Sequence, residues 1–129
     1  MRISTFAERT GLPVETLRYY QKIGLLTPAT ERGQRRYSEA DRLRVEAIGQ
    51  LKRMGFSLDE IRRLLELDDL IESGLRHGVH RADLAREGLE LLREKEAALR
   101  LREEEIRQVR QHLARLMEKL ERFLRGEEP

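Results

Sequence analysis

The residues with the clearest capacity for chemistry are cations crowded into a few positions near the end of the first third of the chain. They are Arg32, Arg35 and Arg36, followed directly by Tyr37. Gly33 lies among them and Pro28 precedes them, so segment 27–37 is predicted to form a short β-hairpin wing with Gly33 near its tip. That many cations repel one another unless an anion lies against them. The segment therefore favours contact with a polyanion over a solvated loop.

A second candidate group lies in residues 14–22, which have a helical period. Leu17 and Tyr20 share one side of this predicted helix, whereas Arg18 and Tyr19 turn outward. An outward arginine is ordinarily a surface residue. In the second helix of a helix-turn-helix, however, it can reach the major groove of DNA or the phosphates at its edge.

Two short helices are predicted to position this group. Ser4 or Thr5 is expected to cap the first helix, with Glu8 completing a capping box after Thr5, and Gly11 ends it. Pro13 suits the start of the second helix. The tight turn between them is typical of a helix-turn-helix.

Two further helices complete the predicted N-terminal half. Ser38 with Asp41, and Ser57 with Glu60, have the spacing of capping boxes. The apolar face of the third helix is predicted to comprise Leu43, Ala47, Leu51 and Met54. The expected core members are Phe6, Leu17, Phe56 and Leu64.

From about His80 the pattern changes to a heptad repeat. Its first stripe comprises Ala85, Leu92, Leu99, Ile106, Leu113 and Leu120, and its second includes Val109, Leu116 and Phe123. One long helix cannot bury such a stripe alone, so a partner helix must cover it. We therefore predict a homodimer through Leu92, Leu99, Ile106, Val109, Leu113, Leu116 and Leu120.

Composition excludes several classes of protein. The chain of 129 residues has no cysteine, which rules out disulfides, thiol catalysis and cysteine-held metal. No nucleophile, paired carboxylates or phosphate loop is recognisable, so an enzyme is not expected. No apolar run is long enough for a membrane span and no signal peptide follows Met1, which favours a cytoplasmic protein. Residues 1–66 carry 13 Lys/Arg against 9 Asp/Glu, so the basic end is the N-terminal one.

Three stretches of this sequence resemble one known family. Residues 16–28 (TLRYYQKIGLLTP), 36–38 (RYS) and 55–61 (GFSLDEI) are similar in order and spacing to the winged-helix domain of MerR-family bacterial transcription regulators. The similarity covers about residues 1–70. The long helix resembles that family's antiparallel coiled-coil dimerisation helix.

The resemblance implies a mostly α fold. The boundaries predicted from the sequence are 1–70 for the winged helix-turn-helix, 71–79 for a linker, 80–125 for the coiled-coil helix and 126–129 for a tail. The resemblance also implies a homodimer on an inverted-repeat operator in double-stranded promoter DNA, which it distorts so that RNA polymerase can engage. The residues carried over as DNA contacts are Thr16, Arg18, Tyr19, Arg35, Arg36 and Tyr37. Ser57 and Leu58 are expected to offer backbone N–H groups to a phosphate.

No cofactor is expected. Family members that sense metals hold them with cysteines, which are missing here. His77, His80 and His112 could still meet across an antiparallel dimer and hold zinc, nickel or copper. Three solvated histidines are the favoured interpretation.

Two other functions remain open at the level of sequence. One is an architectural or excisionase-like protein that bends DNA without regulating a promoter. The other is a coiled-coil scaffold whose N-terminal domain docks a protein. Specific duplex binding separates a regulator from a scaffold, and a transcription assay separates it from an architectural protein.

Overall fold

A computed structural model describes residues 1–127, which form five helices and one two-stranded sheet. The elements are α1 Ile3–Thr10, α2 Val14–Lys22, β1 Ala29–Glu31, β2 Gln34–Arg36, α3 Glu39–Arg53, α4 Leu58–Arg76 and α5 Ala82–Leu124. The predicted fold class is confirmed, with an N-terminal helix-turn-helix, an antiparallel hairpin and a long C-terminal helix. The chain divides into two compact units, residues 1–88 and a second that begins at Leu89. None of the helices in residues 1–127 combines the length and apolarity of a membrane span.

The helix-turn-helix forms where the glycine and proline positions predict it. Gly11 follows α1 in the left-handed conformation (φ +73°), and its N–H donates to the carbonyl of Ala7 at 2.9 Å. Glycine adopts that conformation without a steric penalty, so the chain reverses there. Pro13 is extended and precedes α2 directly. The predicted turn and the predicted start of α2 are therefore confirmed.

The predicted cap of the first helix is wrong. Helix α1 begins at Ile3 after Arg2, and no side chain caps it. Ser4 and Thr5 already lie inside the helix, so neither can serve as its N-cap. The chain is also paired just before the helix begins. The N–H of Tyr37, directly after the hairpin, donates to the carbonyl of Met1 at 2.8 Å.

The capping boxes of α3 and α4 are confirmed. The hydroxyl of Ser38 accepts from the N–H of Asp41, and that of Ser57 accepts from the N–H of Glu60. Each acidic partner accepts in return from the N–H of the serine. These reciprocal bonds satisfy donors that a helix start otherwise leaves unpaired, and they fix where both helices begin.

The core of the first unit lies among α1 to α4 and the hairpin. Its buried members are Phe6, Leu17, Tyr20, Leu25, Leu26, Tyr37, Val45, Ile48, Phe56 and Ile61. Three of the four predicted members are buried, whereas Leu64 is half-buried at the edge. The predicted apolar face of α3 is wrong for Leu43 and Met54, which are 54 % and 52 % exposed, whereas Leu51 packs against the core and Ala47 is half-buried. Packing of the other helices selects the face of Val45 and Ile48 instead.

The hairpin is short and tightly turned. Strands β1 and β2 pair antiparallel with Thr30 opposite Arg35, and the turn consists of Arg32 and Gly33. Both turn residues have positive φ, +51° and +78°, as a two-residue type I′ turn requires. The prediction of a wing with Gly33 at its tip is confirmed.

Helix α4 extends to Arg76, into segment 71–79 that the sequence predicts as a linker. Gly78 ends it in the left-handed conformation (φ +73°), with the N–H of Val79 donating to the carbonyl of Gly74 at 2.7 Å. This is a Schellman cap. Of the predicted tail 126–129, the last two residues lie outside the described residues.

A bidentate ion pair joins α4 to the first turns of α5. Arg63 donates from Nε to Oε1 of Glu87 at 2.7 Å and from Nη2 to Oε2 at 2.8 Å. This hydrogen bonding lowers the pKa of the Glu87 carboxyl and raises the pKa of Arg63. Near this pair, a Cβ placed on Gly88 would lie 3.7 Å from Cδ1 of the buried Leu67, which is an ordinary van der Waals distance.

Candidate nucleic-acid interface

Helix α2 presents one apolar face to the core and one polar face to solvent. Leu17 and Tyr20 are buried, Arg18 is exposed and Tyr19 is 48 % exposed, while Thr16 is half-buried. The outward orientation predicted for Arg18 and Tyr19 therefore agrees with the structure. The loop after α2 is anchored by Arg44 of α3, whose Nε donates to the carbonyl of Leu25 at 3.2 Å.

An open groove of about 320 Å³ brings α2 together with the hairpin. It is lined by Arg2, Ile3, Arg18, Gln21, Gln34, Arg35 and Tyr37. Arg18 and Gln21 lie one turn apart on α2, and Gln34 and Arg35 come from β2. We call these residues the recognition groove. Its cations and amides match the donors that contact phosphates and base edges in DNA.

The two wing arginines have different surroundings. Side chains alternate between the two faces of a strand, so Arg35 and Arg36 point in opposite directions. Arg35 is exposed, and its Nη1 donates to the carbonyl of Pro28 at 3.3 Å. Arg36 is half-buried, with its Nε 3.9 Å from Oε2 of Glu31. Arg35 is thus the freer of the two cations for an external anion.

Tyr37 belongs to the core, although it also lines the recognition groove. Its ring is 3 % exposed and stacks on Phe6 with centroids 4.6 Å apart. Its hydroxyl accepts a hydrogen bond from Nε2 of Gln21. Tyr37 therefore fixes the end of the hairpin against α1 and orients Gln21, and only its polar edge reaches the recognition groove.

Ser57 and Leu58 do not line the recognition groove. They open α4, where Ser57 is exposed and Leu58 is half-buried against the core. Ser57 and Glu60 satisfy each other, whereas the N–H groups of Leu58 and Asp59 have no acceptor within the described part of the chain. Unpaired N–H groups at a helix start attract anions. The carboxylate of Asp59 lies in the same turn and opposes that attraction.

Four residues of the recognition groove are absent from the sequence-based prediction. They are Arg2, Ile3, Gln21 and Gln34. Gln21 could have been found, because it lies three residues after Arg18 and therefore on the same face of α2. Nothing in the sequence shows that residue 2 lies beside residue 37, because that contact depends on tertiary pairing.

The predicted dimerisation residues are all exposed within a single chain. Leu92, Leu99, Ile106, Val109, Leu113, Leu116 and Leu120 range from 46 % to 64 % exposed. Phe123 extends the same surface at 66 % exposed. Large apolar side chains thus recur along the exposed surface of α5.

The three histidines form no metal site within one chain. Nδ1 of His77 lies 2.8 Å from the carbonyl of Ser73, and Nδ1 of His112 lies 3.4 Å from Nη2 of Arg115. Residues 1–127 contain no group of three His, Cys, Asp or Glu residues that could hold a metal ion.

Two known protein families match this chain, and together the matches cover residues 1–122. The family described as "MerR HTH family regulatory protein" matches residues 1–68, and the family described as "MerR, DNA binding" matches residues 42–122. A mercuric resistance operon regulatory protein of Shigella flexneri is 45 % identical over 101 residues, which are 77 % of this chain and 67 % of that protein. The counterpart in Serratia marcescens is 51 % identical over 71 residues, 54 % of this chain and 49 % of that protein.

Two solved structures are similar along most of the chain. HiNmlR, a MerR family regulator lacking the sensor domain and bound to promoter DNA, is 26 % identical with a TM-score of 0.60. That match covers 97 % of this chain and 90 % of the other. A lead(II)-bound transcription regulator from Ralstonia metallidurans CH34 is 31 % identical with a TM-score of 0.52, covering 86 % of both chains.

The two family matches together span residues 1–122, so the resemblance seen in the sequence is confirmed. The chain belongs to the MerR family of DNA-binding transcription regulators.

Proposed function

We propose that the protein acts as a homodimer that binds an inverted-repeat operator and regulates the promoter that contains it. The observation that carries this proposal is the recognition groove, in which Arg18 and Gln21 of α2 lie beside Gln34 and Arg35 of the hairpin. A helix and a wing with donors on adjoining surfaces can hold both a base edge and the flanking backbone.

The contacts divide by position. Thr16, Arg18 and Tyr19 are assigned to the major groove and its edges, because α2 is the second helix of the helix-turn-helix. Arg35 and Arg36 are assigned to the backbone beside the wing. Tyr37 is assigned a contact only through its polar edge, because its ring is buried.

Ser57 and Leu58 are assigned a phosphate at the start of α4. This contact would come from backbone N–H groups, with Leu58 donating directly. It places a third anchor on the backbone, separate from the recognition groove.

A second copy of the chain is the partner that fits the apolar stripe of α5. The stripe recurs at intervals of seven, which keeps it on one side of a supercoiled helix over its whole length. Antiparallel pairing of two such helices gives two recognition helices related by two-fold symmetry. A two-fold protein binds an inverted repeat, because each half-site then receives the same surface.

Promoter distortion and cooperation with RNA polymerase complete the proposal. HiNmlR, similar over 97 % of this chain, was solved bound to promoter DNA, which supports a promoter as the target here. Bending or untwisting a promoter costs free energy that many phosphate contacts from two subunits can offset. Such distortion would bring misaligned promoter elements into the register that RNA polymerase requires.

The test is selection of genomic fragments by the purified full-length protein at about 0.15 M salt, followed by sequencing. We expect retention of fragments that share one inverted repeat within a promoter. Uniform retention of all fragments would instead indicate an architectural protein. Retention of none would contradict DNA binding by this chain alone.

Arg18→Ala then tests the recognition helix on the selected operator. We expect about 1–3 kcal/mol weaker binding and reduced discrimination against a random duplex, because an α2 cation would be removed from the bases. Arg93→Ala, which removes one cation from α5, serves as the matched control. Equal losses of affinity in both variants would contradict the assigned role of Arg18.

A further inference from the structure

The chain that leaves α2 folds back tightly against the core. Helix α2 ends at Lys22, and Gly24 then adopts the left-handed conformation (φ +81°). The N–H groups of Leu25 and Leu26 both donate to the carbonyl of Tyr20, at 2.8 and 3.2 Å. Both leucines are buried. The position of this segment therefore fixes the C-terminal end of α2.

Arg44 of α3 joins this segment to α4. Its Nε donates to the carbonyl of Leu25 at 3.2 Å, and its Nη1 donates to both carboxylate oxygens of Asp69, at 3.1 and 2.8 Å. Leu25 lies 19 residues before Arg44 in the chain and Asp69 lies 25 residues after it. A side chain of α3 thus connects the end of α2 to α4. We call Leu25, Arg44 and Asp69 the α2–α4 clamp.

The chemistry of the α2–α4 clamp requires an arginine. A planar guanidinium has donors that point in several fixed directions, so it can serve a carbonyl and a carboxylate at the same time. The ammonium of a lysine is a single compact charge. The Arg44 side chain is 26 % exposed and that of Asp69 is 57 % exposed, so water screens this pair only in part.

A second residue of α4 lies close to the same segment. A Cβ placed on Gly24 would lie 3.9 Å from Cδ of Arg62, which is an ordinary van der Waals distance. Arg62 and Asp69 are two helical turns apart and therefore share one face of α4. This face lies beside the end of α2, near Gly24 at Arg62 and through Arg44 at Asp69.

The α2–α4 clamp lies outside the recognition groove. Arg18 and Gln21 line that groove, whereas Leu25, Arg44 and Asp69 do not. Gln21 is in the last turn of α2, and Arg18 lies one turn before it. Displacement of the end of α2 would therefore move both side chains. The clamp can affect recognition in this way without any contact with DNA.

We propose that Arg44 is a positioning residue for operator recognition, which holds the end of α2 against α4 so that Arg18 and Gln21 meet the bases in one orientation. This inference rests on the proposed function. Hydrogen bonds weaken steeply when their angle is distorted, so base readout requires a fixed helix. Phosphate contacts carry no sequence information. Loss of Arg44 should therefore weaken specific binding more than binding to a random duplex.

The test uses full-length variants of both side chains of the clamp. They are Arg44→Met, Arg44→Lys, Asp69→Asn and the double variant Arg44→Met/Asp69→Asn. Arg76→Met is the matched control, because it removes an arginine that pairs with Glu72 inside α4. Affinity for the selected operator and for a random duplex is measured across a range of salt concentrations. The temperature is one at which urea unfolding shows every variant to be folded.

We expect Arg44→Met to lower the ratio of operator to random affinity by about tenfold, the equivalent of one impaired base contact. The slope of log affinity against log salt should not change, because no phosphate contact is lost. Arg44→Lys should recover part of the ratio by keeping the pair with Asp69. The double variant should lose no more than Arg44→Met, because both side chains act in one clamp. Arg76→Met should keep the wild-type ratio.

Amide hydrogen exchange of the protein without DNA tests the clamp directly. The N–H groups of Leu25 and Leu26 should exchange faster in Arg44→Met than in Arg76→Met, because the segment after α2 opens more often once its anchor is removed. Wild-type exchange rates at these two amides in Arg44→Met would show that Arg44 does not hold the segment.

Three binding results would overturn the proposal. A folded Arg44→Met protein with the wild-type ratio would show that Arg44 does not position α2. A salt slope shallower by about 0.9 with an unchanged ratio would make Arg44 a phosphate contact instead. Additive losses in the double variant would show that Arg44 and Asp69 act separately. Failure of the wild type to bind any duplex would contradict the proposed function itself, and the exchange experiment would still test the clamp.

Discussion

At the scale of single residues, burial separates side chains that the sequence places in one motif. Arg36 and Tyr37 are adjacent in the chain, yet Tyr37 is 3 % exposed and Arg36 is half-buried on the hairpin. Arg35 is exposed, and its Nη1 donates to the Pro28 carbonyl. The three residues therefore support the interface differently, with Tyr37 holding the hairpin and Arg35 available to a ligand.

Tyr37 provides the first prediction. Tyr37→Ala should lower the free energy of unfolding by about 3 kcal/mol, because it deletes a buried ring that stacks on Phe6. Tyr37→Phe should cost about 1 kcal/mol or less, since it removes only the hydrogen bond from Gln21. Urea unfolding measures both. A Tyr37→Ala protein as stable as the wild type would show that the ring is not part of the core.

At the scale of elements, side-chain caps decide where helices begin only when the geometry allows the bond. Ser38 and Ser57 both accept from the residue three positions later, and both precede their helices. Ser4 and Thr5 have the same chemistry but lie inside α1. A capping box requires a serine or threonine followed three residues later by an acidic residue. The residue at which the helix begins, however, is decided by the tertiary contacts around that segment.

Comparison of two serines tests this difference. Ser57→Ala should lower the free energy of unfolding by about 1 kcal/mol, because the N–H of Glu60 loses its acceptor. Ser4→Ala should leave stability unchanged or slightly raised, since alanine favours a helix interior. Urea unfolding of both variants gives the comparison. A loss of stability in Ser4→Ala as large as in Ser57→Ala would indicate that Ser4 caps α1, as the sequence predicts.

The ion pair between α4 and α5 gives an element-scale prediction on pH. Arg63 lowers the pKa of Glu87 in the folded chain below the ordinary value of 4.5. The stabilisation is therefore complete above that value and is lost as pH falls through the lowered pKa. Glu87→Gln should accordingly lower the melting temperature at pH 7 and have less effect at about pH 3.

Thermal unfolding followed by circular dichroism at both pH values measures this dependence. Glu90→Gln, which removes a neighbouring carboxylate that forms no ion pair within residues 1–127, is the control. A Glu87→Gln effect that is the same at both pH values would indicate impaired packing rather than the removal of a charge interaction.

At the scale of the whole molecule, α5 has a surface that one chain cannot bury. Ile106 is 58 % exposed, and it is one of a row of similarly exposed apolar residues. Such a helix is unstable in isolation unless its stripe is covered. The same stripe would set the distance between two recognition helices, so dimerisation and operator binding are coupled in this proposal.

Ile106→Glu tests that coupling. A carboxylate in the middle of the stripe would be buried without a partner, so we expect monomers in analytical ultracentrifugation. Binding to the selected operator should fall by at least tenfold, because one chain reads only one half-site. Gln108→Glu, which adds the same charge away from the stripe, should remain a dimer. A dimeric Ile106→Glu protein would contradict the coiled-coil assignment.

Most of the fold is predictable because its signals are local. Gly11, Pro13 and the Arg32–Gly33 turn impose backbone geometry on their own neighbours, and the heptads of α5 are visible along the chain. The Ser57 capping box likewise spans only four residues. Turns, caps and repeats of this kind depend on residues that are close in sequence, so they suffice to define the elements and to indicate the family.

The remaining features depend on contacts between distant residues. Packing of α1, α2 and α4 selects Val45 and Ile48 as the buried face of α3, where the pattern favoured Leu43 and Met54. Pairing of residue 1 with residue 37 brings Arg2 to the recognition groove. Which side chains are buried and which surround a groove therefore follows from tertiary packing, because burial depends on neighbours that arrive from elsewhere in the chain.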